Sequence, residues 1–132
     1  MKCFDWKLEK SNVFGLIKRP VAEIFLEGRD SEWQPILVYI DSGADITVIK
    51  RSFGELLGID IEKGEKAEFG GVSGAKIQTN IHRIKVRLGD QEYKARVAFA
   101  TDDRPPNLLG RIDVFNLFEI RFRNRTEDTC FF

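Results

Sequence analysis

The alternation of apolar and polar residues predicts a chain built mainly of short β-strands. Apolar runs rich in β-branched and aromatic residues recur along it, separated by glycine, proline and polar turn residues. We count about seven strands, which predicts an all-β barrel or sandwich. The strands are expected at 20–27, 34–40 and 46–49, in a hairpin over 65–81, and at 81–88, 93–99 and 118–122.

Two short segments predict helices. In the first, Ser52 and Glu55 have the spacing of a capping box, with Ser52 as the N-cap and Gly58 as the C-terminal stop. The second, over 111–117, has room for one or two helical turns. Helices are therefore expected to be a minor part of the fold.

The most informative pattern is the apolar run 36–40, which leads directly into Asp41-Ser42-Gly43-Ala44 and is followed by a second apolar run. A carboxylate between apolar flanks is costly unless it is paired, hydrogen-bonded or protonated. Gly43 permits a tight turn, and the Ser42 hydroxyl can lock the loop. Asp and Ser are also common turn residues, but the apolar flanks favour a functional carboxylate.

Length and charge favour one soluble globular domain over residues 1–132, with an N-terminal extension at 1–18 and a mobile polar tail at 124–132. Lys+Arg and Asp+Glu both number 21, which argues against nucleic acid as a partner. No apolar run approaches the length of a membrane span, and the first residues do not resemble a signal peptide. We therefore expect a cytoplasmic protein with no membrane partner.

Cysteine and histidine usage favours neither a metal site nor a histidine-based catalytic triad. The two cysteines, Cys3 and Cys130, match no metal-binding spacing. We favour two free thiols in a reducing compartment, while a disulfide between the chain ends would need an oxidising one. The single histidine, His82, lies within an alternating strand pattern. No metal and no cofactor are expected, although these observations leave carboxylate-only metal binding open.

Four segments, in the same order, resemble the retropepsins, the retroviral type of aspartic protease, which also has cellular and prokaryotic relatives. Ser42 replaces the commoner threonine, a variant that the family also uses. Three parts of the chain depart from the family pattern: the residues before 18, those after 123, and Ile112-Asp113. The resemblance implies a closed β-barrel with its active site at a two-fold homodimer interface. The matching segments are Arg19-Pro20-Val21, the catalytic loop 41–48, the flap 66–77 around Gly70-Gly71-Val72-Ser73-Gly74, and the segment 105–111 that crosses beneath the loop.

The resemblance also implies roles for individual residues. Asp41 is the catalytic aspartate; Ser42 would hydrogen-bond across the dimer, and Gly43 would accept a hydrogen bond from the substrate backbone. Asp45 and Arg111 match positions that ion-pair near the dimer interface, although they could be unrelated surface charges. The remaining matches are Ala44 in the active-site loop, Gly70, Gly71 and Val72 at the flap tip, and Tyr39, Val48, Val72, Pro106 and Leu108 in apolar side-chain pockets.

The predicted function is an endopeptidase that hydrolyses peptides or proteins. Because the chain holds one Asp-Ser-Gly, a homodimer must supply two copies of Asp41, which share one proton. The alternative is a non-catalytic dimerisation or peptide-binding module. Glycoside hydrolysis lacks a second positioned acid, and a phosphate-binding role for the glycine-rich tip lacks Gly-Lys-[Ser/Thr].

Overall fold

A computed structural model describes residues 1–70 and 74–132. Strands dominate this part of the chain, together with the six-residue helix α1 (Arg51–Leu56) and 3-10 turns at Ile61–Lys63 and Phe115–Leu117. The predicted all-β class is therefore confirmed. The strands are β1 (Lys2–Asp5), β2 (Lys7–Ser11), β3 (Gly15–Arg19), β4 (Val21–Glu27), β5 (Trp33–Ile40), β6 (Thr47–Ile49), β7 (Glu65–Gly70), β8 (Lys76–Leu88), β9 (Gln91–Ala100), β10 (Leu108–Leu109), β11 (Ile120–Arg123) and β12 (Asp128–Phe131).

Six of these strands close into a barrel in the order β4-β5-β10-β6-β9-β8, and β8 pairs back onto β4. The closing contact is short, with Phe25 opposite Arg87 and Leu26 opposite Val86. Closure leaves these strands with no long free edge, which explains how so small a sheet can bury one face completely. The predicted closed barrel is confirmed.

The barrel interior is filled by alternate residues of its strands. Successive side chains point to opposite faces of a strand, so every second position of β4 and β5 faces inward. Ile24, Leu26, Val38, Phe99 and Leu109 are completely buried there. A second, smaller apolar cluster of Ile46, Val48 and Ala98 lies outside this core, with Phe69, Ile81 and Leu108 packed against it.

The long strand β8 connects the barrel to a projecting hairpin. Its first half pairs with β7 from Glu65 opposite Ile81 to Gly70 opposite Lys76, and its second half belongs to the barrel. The predicted hairpin over 65–81 is therefore present. Its tip, residues 71–73, lies outside the described residues.

The start of α1 differs from the prediction. Lys50 is the N-cap, no side chain caps the helix in the expected way, and Glu55 binds Arg51 instead (Nε to Oε1, 2.8 Å). The Ser52 N–H donates to Asp103 Oδ1 at 2.9 Å, so a distant loop satisfies the helix terminus. The predicted capping box is therefore wrong. Gly58, with φ +73°, follows the helix as its predicted stop.

The predicted mobile tail at 124–132 is wrong, because its last part forms β12. This strand lies between β1 and β11 in a three-stranded antiparallel sheet, and all four of its residues are buried. Phe131 packs edge-to-face against Phe4 and Phe118. The polar residues 124–127 form the turn that returns this apolar end to the body of the protein.

Cys3 and Cys130 face each other across β1 and β12 and form a disulfide. The expectation of two free thiols is therefore wrong, because strand pairing brings residues from opposite chain ends into contact. Disulfides persist mainly in oxidising compartments, and the cytoplasmic localisation stays a prediction. Separately, no helix in the described part of the chain is long and apolar enough to cross a membrane.

Candidate active site

Asp41 follows directly after β5 and begins a tight loop. Its carboxylate accepts a hydrogen bond from the Gly43 N–H (to Oδ1, 2.9 Å), and its carbonyl accepts one from the Ala44 N–H at 3.2 Å. Asp41 is half-buried, whereas Ser42 and Gly43 are exposed. The loop therefore orients one carboxylate oxygen from its own backbone, and no hydrogen bond from the described residues engages the other.

The loop is held from below by the segment 107–112, which runs between β5 and β6. Leu108 pairs in parallel with Tyr39 and antiparallel with Val48. The Asp41 N–H donates to Leu109 O at 3.1 Å, and the Arg111 N–H donates to Ala44 O at 3.0 Å. Backbone hydrogen bonds therefore hold the loop at Asp41 and at Ala44, in addition to the bond that the Asp41 carboxylate accepts from Gly43.

Gly110 lies at the closest point of this crossing. A Cβ at this position would lie 2.2 Å from the carbonyl carbon of Ile46, a distance that real structures do not contain. The Gly110 N–H donates to the Thr47 hydroxyl at 3.1 Å. Glycine is therefore required here because the two backbones touch.

A cleft of about 500 Å³ opens beside Asp41. Its floor brings together three of the predicted residues, Tyr39, Pro106 and Leu108, with Asp41 itself. Ile40 and Pro20 complete the apolar surface, and the charged pair Glu9 and Arg19 forms the rim. Apolar walls with a few polar groups are typical of a ligand-binding site.

Val48 does not line this cleft. It is buried in the small apolar cluster that connects the loop to the β7–β8 hairpin through Phe69 and Ile81. The hairpin is thus packed beside the catalytic loop through this cluster. Of the predicted flap-tip residues, Gly70 ends β7, while Gly71 and Val72 lie outside the described residues.

Asp45 and Arg111 are neighbours through their backbones, because the Ile112 N–H donates to Asp45 O at 2.7 Å and the Arg111 N–H to the adjoining Ala44 O. Both side chains are exposed, and the ion pairs among the described residues do not include one between them. The predicted side-chain ion pair is therefore not formed within the single chain.

The nearby ion pair is formed instead by Arg96 and Asp113. Arg96 donates to Asp113 from its backbone N–H (3.0 Å), from Nε (2.8 Å) and from Nη2 (3.1 Å). The side-chain hydrogen bond from Arg96 lowers the pKa of Asp113 to about 2. This contact anchors the chain immediately after the segment that crosses under the loop.

Sequence reasoning missed Glu9 at the cleft. It reaches the site because the β2–β3 hairpin folds against Tyr39, whose hydroxyl donates to Glu9 Oε1. Nothing in the local pattern of Lys7–Ser11 distinguishes this strand from any exposed charged strand. Only the tertiary pairing identifies Glu9 as a site residue.

One group of potential metal ligands occurs in the described part of the chain, formed by Cys3, Asp128 and Cys130. Both sulfur atoms are joined in the disulfide, and Arg123 donates to both oxygens of Asp128. The donor atoms of this group are therefore already engaged and do not make a metal site.

The sequence model of the family described as aspartyl protease matches residues 26–111, more than half of the chain. This chain belongs to the aspartyl protease family. The match includes the Asp41 loop, the β7–β8 hairpin and the Gly110 crossing, but not Glu9, Arg19 and Pro20 of the cleft. It begins after the β2–β3 hairpin and ends before β11.

Two solved structures have the same fold. The EIAV protease, solved in complex with the inhibitor HBY-793, is 26% identical, with a TM-score of 0.55 over 78% of this chain and 88% of that one. A retropepsin-like aspartic protease from Rickettsia conorii is 16% identical, with a TM-score of 0.65 over 98% of both chains. The predicted resemblance of this chain to the retropepsins is thereby confirmed.

Substituting Gly110 with alanine should destabilise the fold, because the new Cβ would overlap the Ile46 backbone. We expect a loss of about 3 kcal/mol or more in the free energy of unfolding, measured by urea titration. Gly70→Ala is the matched control, since its Cβ meets no described atom within 4 Å. Equal stability of the Gly110 variant and the wild type would contradict the close crossing.

Removing the Asp113 charge should reduce stability near neutral pH but not in acid. Folding lowers the pKa of Asp113 from 3.8 to about 2. The ion pair therefore stabilises the fold at pH values above the unfolded pKa of 3.8, and this stabilisation is lost as the pH falls through the folded pKa of about 2. Asp113→Asn keeps a residue that tolerates the observed φ of 65°. We expect a deficit of about 1 to 2 kcal/mol at pH 7, after solvent screening.

This deficit should shrink as the pH is lowered from about 4 towards 2, in urea titrations of both proteins. Asp90→Asn changes an exposed carboxyl outside this contact and serves as the control. A deficit that stays constant across the acid range would show that the Asp113 carboxylate does not act through Arg96.

Proposed function

We propose that the chain is an aspartic endopeptidase that acts as a homodimer on peptide or protein substrates. The observation that carries this proposal is the half-buried Asp41 carboxylate, held by backbone hydrogen bonds beside an apolar cleft in a member of the aspartyl protease family. An extended peptide could place its side chains on the apolar floor while its scissile carbonyl lies near Asp41.

The reaction requires a second carboxyl group beside Asp41. Glu9 lines the same cleft, but the Tyr39 hydroxyl, Lys7 and Arg19 all contact it and lower its pKa, the hydroxyl most strongly. A carboxylate held in its charged form by three partners is a poor proton donor. The second acid is therefore Asp41 of another copy of this chain, related by a two-fold axis.

In the assembled pair, two adjacent carboxyls share one proton because both cannot be ionised so close together. The charged member removes a proton from water, and the protonated member donates to the oxygen of the scissile carbonyl. The Gly43 N–H bond to Oδ1 keeps each carboxyl in a fixed orientation during this exchange. The Ser42 hydroxyl is exposed at the loop tip, where it can reach the partner's loop.

The β7–β8 hairpin is suited to act as a flap. It is a two-stranded ribbon that continues β8 beyond the barrel, and Ile81 at its base and Phe69 towards its tip pack against the small apolar cluster beside the Asp41 loop. Closure of such a ribbon over a bound peptide would exclude water other than the reacting molecule.

The sheet at the chain ends offers a surface for dimerisation. Its outer strand β11 pairs on one side with β12, and among the described strands no other pairs with its second edge. Leu117, Phe122 and Phe132 expose large apolar side chains there. An open edge with exposed aromatic residues favours association with a second copy.

The alternative function is a peptide-binding or dimerisation module without turnover. The same cleft could bind an extended peptide, but such a module would have no need of the hydrogen bonds that orient the Asp41 carboxylate. Pepstatin-sensitive cleavage of a peptide library distinguishes the two, since a binding module would give no products.

Asp41→Asn should abolish peptide cleavage and leave the fold intact, because the amide can neither accept nor donate the shared proton. We expect kcat/KM to fall by at least about a thousandfold, measured on a peptide that the wild type cleaves. Asp90→Asn, the same chemical change at an exposed turn, should retain wild-type activity. Full cleavage by the Asp41 variant, free of other proteases, would overturn the aspartic mechanism.

Activity per chain should fall on dilution, because a monomer carries half of the site. Light scattering at the same concentrations should show the mass changing in parallel with the activity. Phe122→Asp should move both transitions to higher concentration, whereas Val13→Asp, at the exposed tip of the β2–β3 hairpin, should not. A fully active species of monomer mass would exclude the homodimer.

A further inference from the structure

The β2–β3 hairpin forms an ion cluster at the edge of the cleft. Glu9 Oε2 lies 3.0 Å from Arg19 Nε, and Glu9 Oε1 lies 3.1 Å from Lys7 Nζ while accepting from the Tyr39 hydroxyl. The Glu9 side chain is only 18% exposed, whereas the two cations are about half exposed. One largely buried anion is therefore surrounded by two more accessible cations.

Two members of the cluster line the same cleft as the apolar residues. Glu9 and Arg19 line the same cleft as Asp41, together with Tyr39, Pro106 and Leu108. The Tyr39 hydroxyl is occupied by Glu9, so Tyr39 offers its ring to the cleft. A side chain seated on this floor would therefore lie beside the charges of the hairpin.

The hairpin is fixed in this position by contacts at its base. Trp6, at the entrance to β2, donates from its backbone N–H to Glu127 O at 2.9 Å and from Nε1 to the Thr129 hydroxyl at 2.8 Å. On the opposite face of the hairpin, Lys18 Nζ lies 2.8 Å from Glu127 Oε2. These contacts tie the cleft wall to the buried strand β12.

We propose that the β2–β3 hairpin builds the outer wall of a substrate side-chain subsite beside Asp41, and that Glu9 makes this subsite selective for uncharged apolar side chains. This inference rests on the proposed peptidase function. The Glu9 carboxylate offsets the positive charge of Arg19 and Lys7. An acidic substrate side chain would therefore gain little binding free energy from the two cations.

This assignment predicts opposite shifts in preference for two charge-removing variants. Glu9→Gln keeps a hydrogen-bond acceptor for Tyr39 but leaves two cations uncompensated. The kcat/KM for peptides with Glu at the subsite should therefore rise relative to that for peptides with Leu. Arg19→Gln leaves the Glu9 carboxylate less compensated, so the kcat/KM for peptides with Lys at the subsite should rise relative to that for peptides with Leu. One unit of charge at the edge of a partly screened cleft should change the ratio of kcat/KM values by roughly tenfold.

The experiment compares peptides that carry Leu, Glu or Lys at each position flanking the scissile bond. Glu127→Gln is the matched control, because it breaks the Lys18 ion pair that ties the same hairpin on its other face. It should leave the preference of the wild type unchanged. Circular dichroism establishes that each variant is folded, and the opposite prediction for Arg19→Gln keeps the test decisive if Glu9→Gln does not fold.

Binding of the same peptides to Asp41→Asn, with and without Glu9→Gln, is measured by calorimetry and needs no catalysis. If the wild type does not cleave any peptide but Glu9→Gln shifts the binding preference as expected, the peptidase function is rejected and the subsite is supported. If the wild type cleaves, and Glu9→Gln and Arg19→Gln both keep its side-chain preference, the subsite is overturned. A shift produced equally by Glu127→Gln would also overturn it, because hairpin stability alone would then explain the effect.

Discussion

The structure depends on the close crossing of two backbones at Gly110. There the segment 107–112 runs under the Asp41 loop at a distance that leaves no room for a Cβ. The same crossing inserts β10 between β5 and β6 and so completes the barrel. The place of β10 in the barrel and the position of the Asp41 carboxylate thus depend on the same contact. A change that opens the crossing would disturb both.

Most of the contacts that hold Asp41 in place come from the backbone. Main-chain hydrogen bonds to Leu109 and from Ala44 fix the loop on both sides, and the Gly43 N–H orients one carboxylate oxygen. Catalytic groups work best when their surroundings are organised before the reaction begins, which is consistent with an acid that alternates between donor and acceptor.

The two chain ends stabilise the protein at a distance from the loop. The disulfide of Cys3 and Cys130 and the burial of β12 join residues from opposite ends of the sequence. The β2–β3 hairpin is tied to this same sheet through Trp6, so the wall of the cleft depends on it. The elements outside the matched family segment are therefore connected to the site itself.

Part of the candidate site could be predicted from sequence because its signals are local. An apolar strand that ends in Asp41-Ser42-Gly43, and two leucines before Gly110, are patterns within a few residues, and the barrel strands follow from alternation. The structure brings Asp41, Tyr39, Pro106 and Leu108 to one cleft, as their predicted roles require. Local spacing sufficed for these residues because strand direction and turn chemistry are properties of neighbouring positions.

Tertiary structure alone decided the features that join distant segments. Glu9 reaches the cleft through a hairpin whose own sequence is that of an exposed charged ribbon, and Asp103 replaces the expected Ser52 cap from 51 positions away. The polar residues 124–127 indicated a mobile tail, yet they form the turn that brings Phe131 and Cys130 into the interior. In each case the partner is chosen by burial and by long-range strand pairing, whereas the sequence by itself specifies only what each segment can do locally.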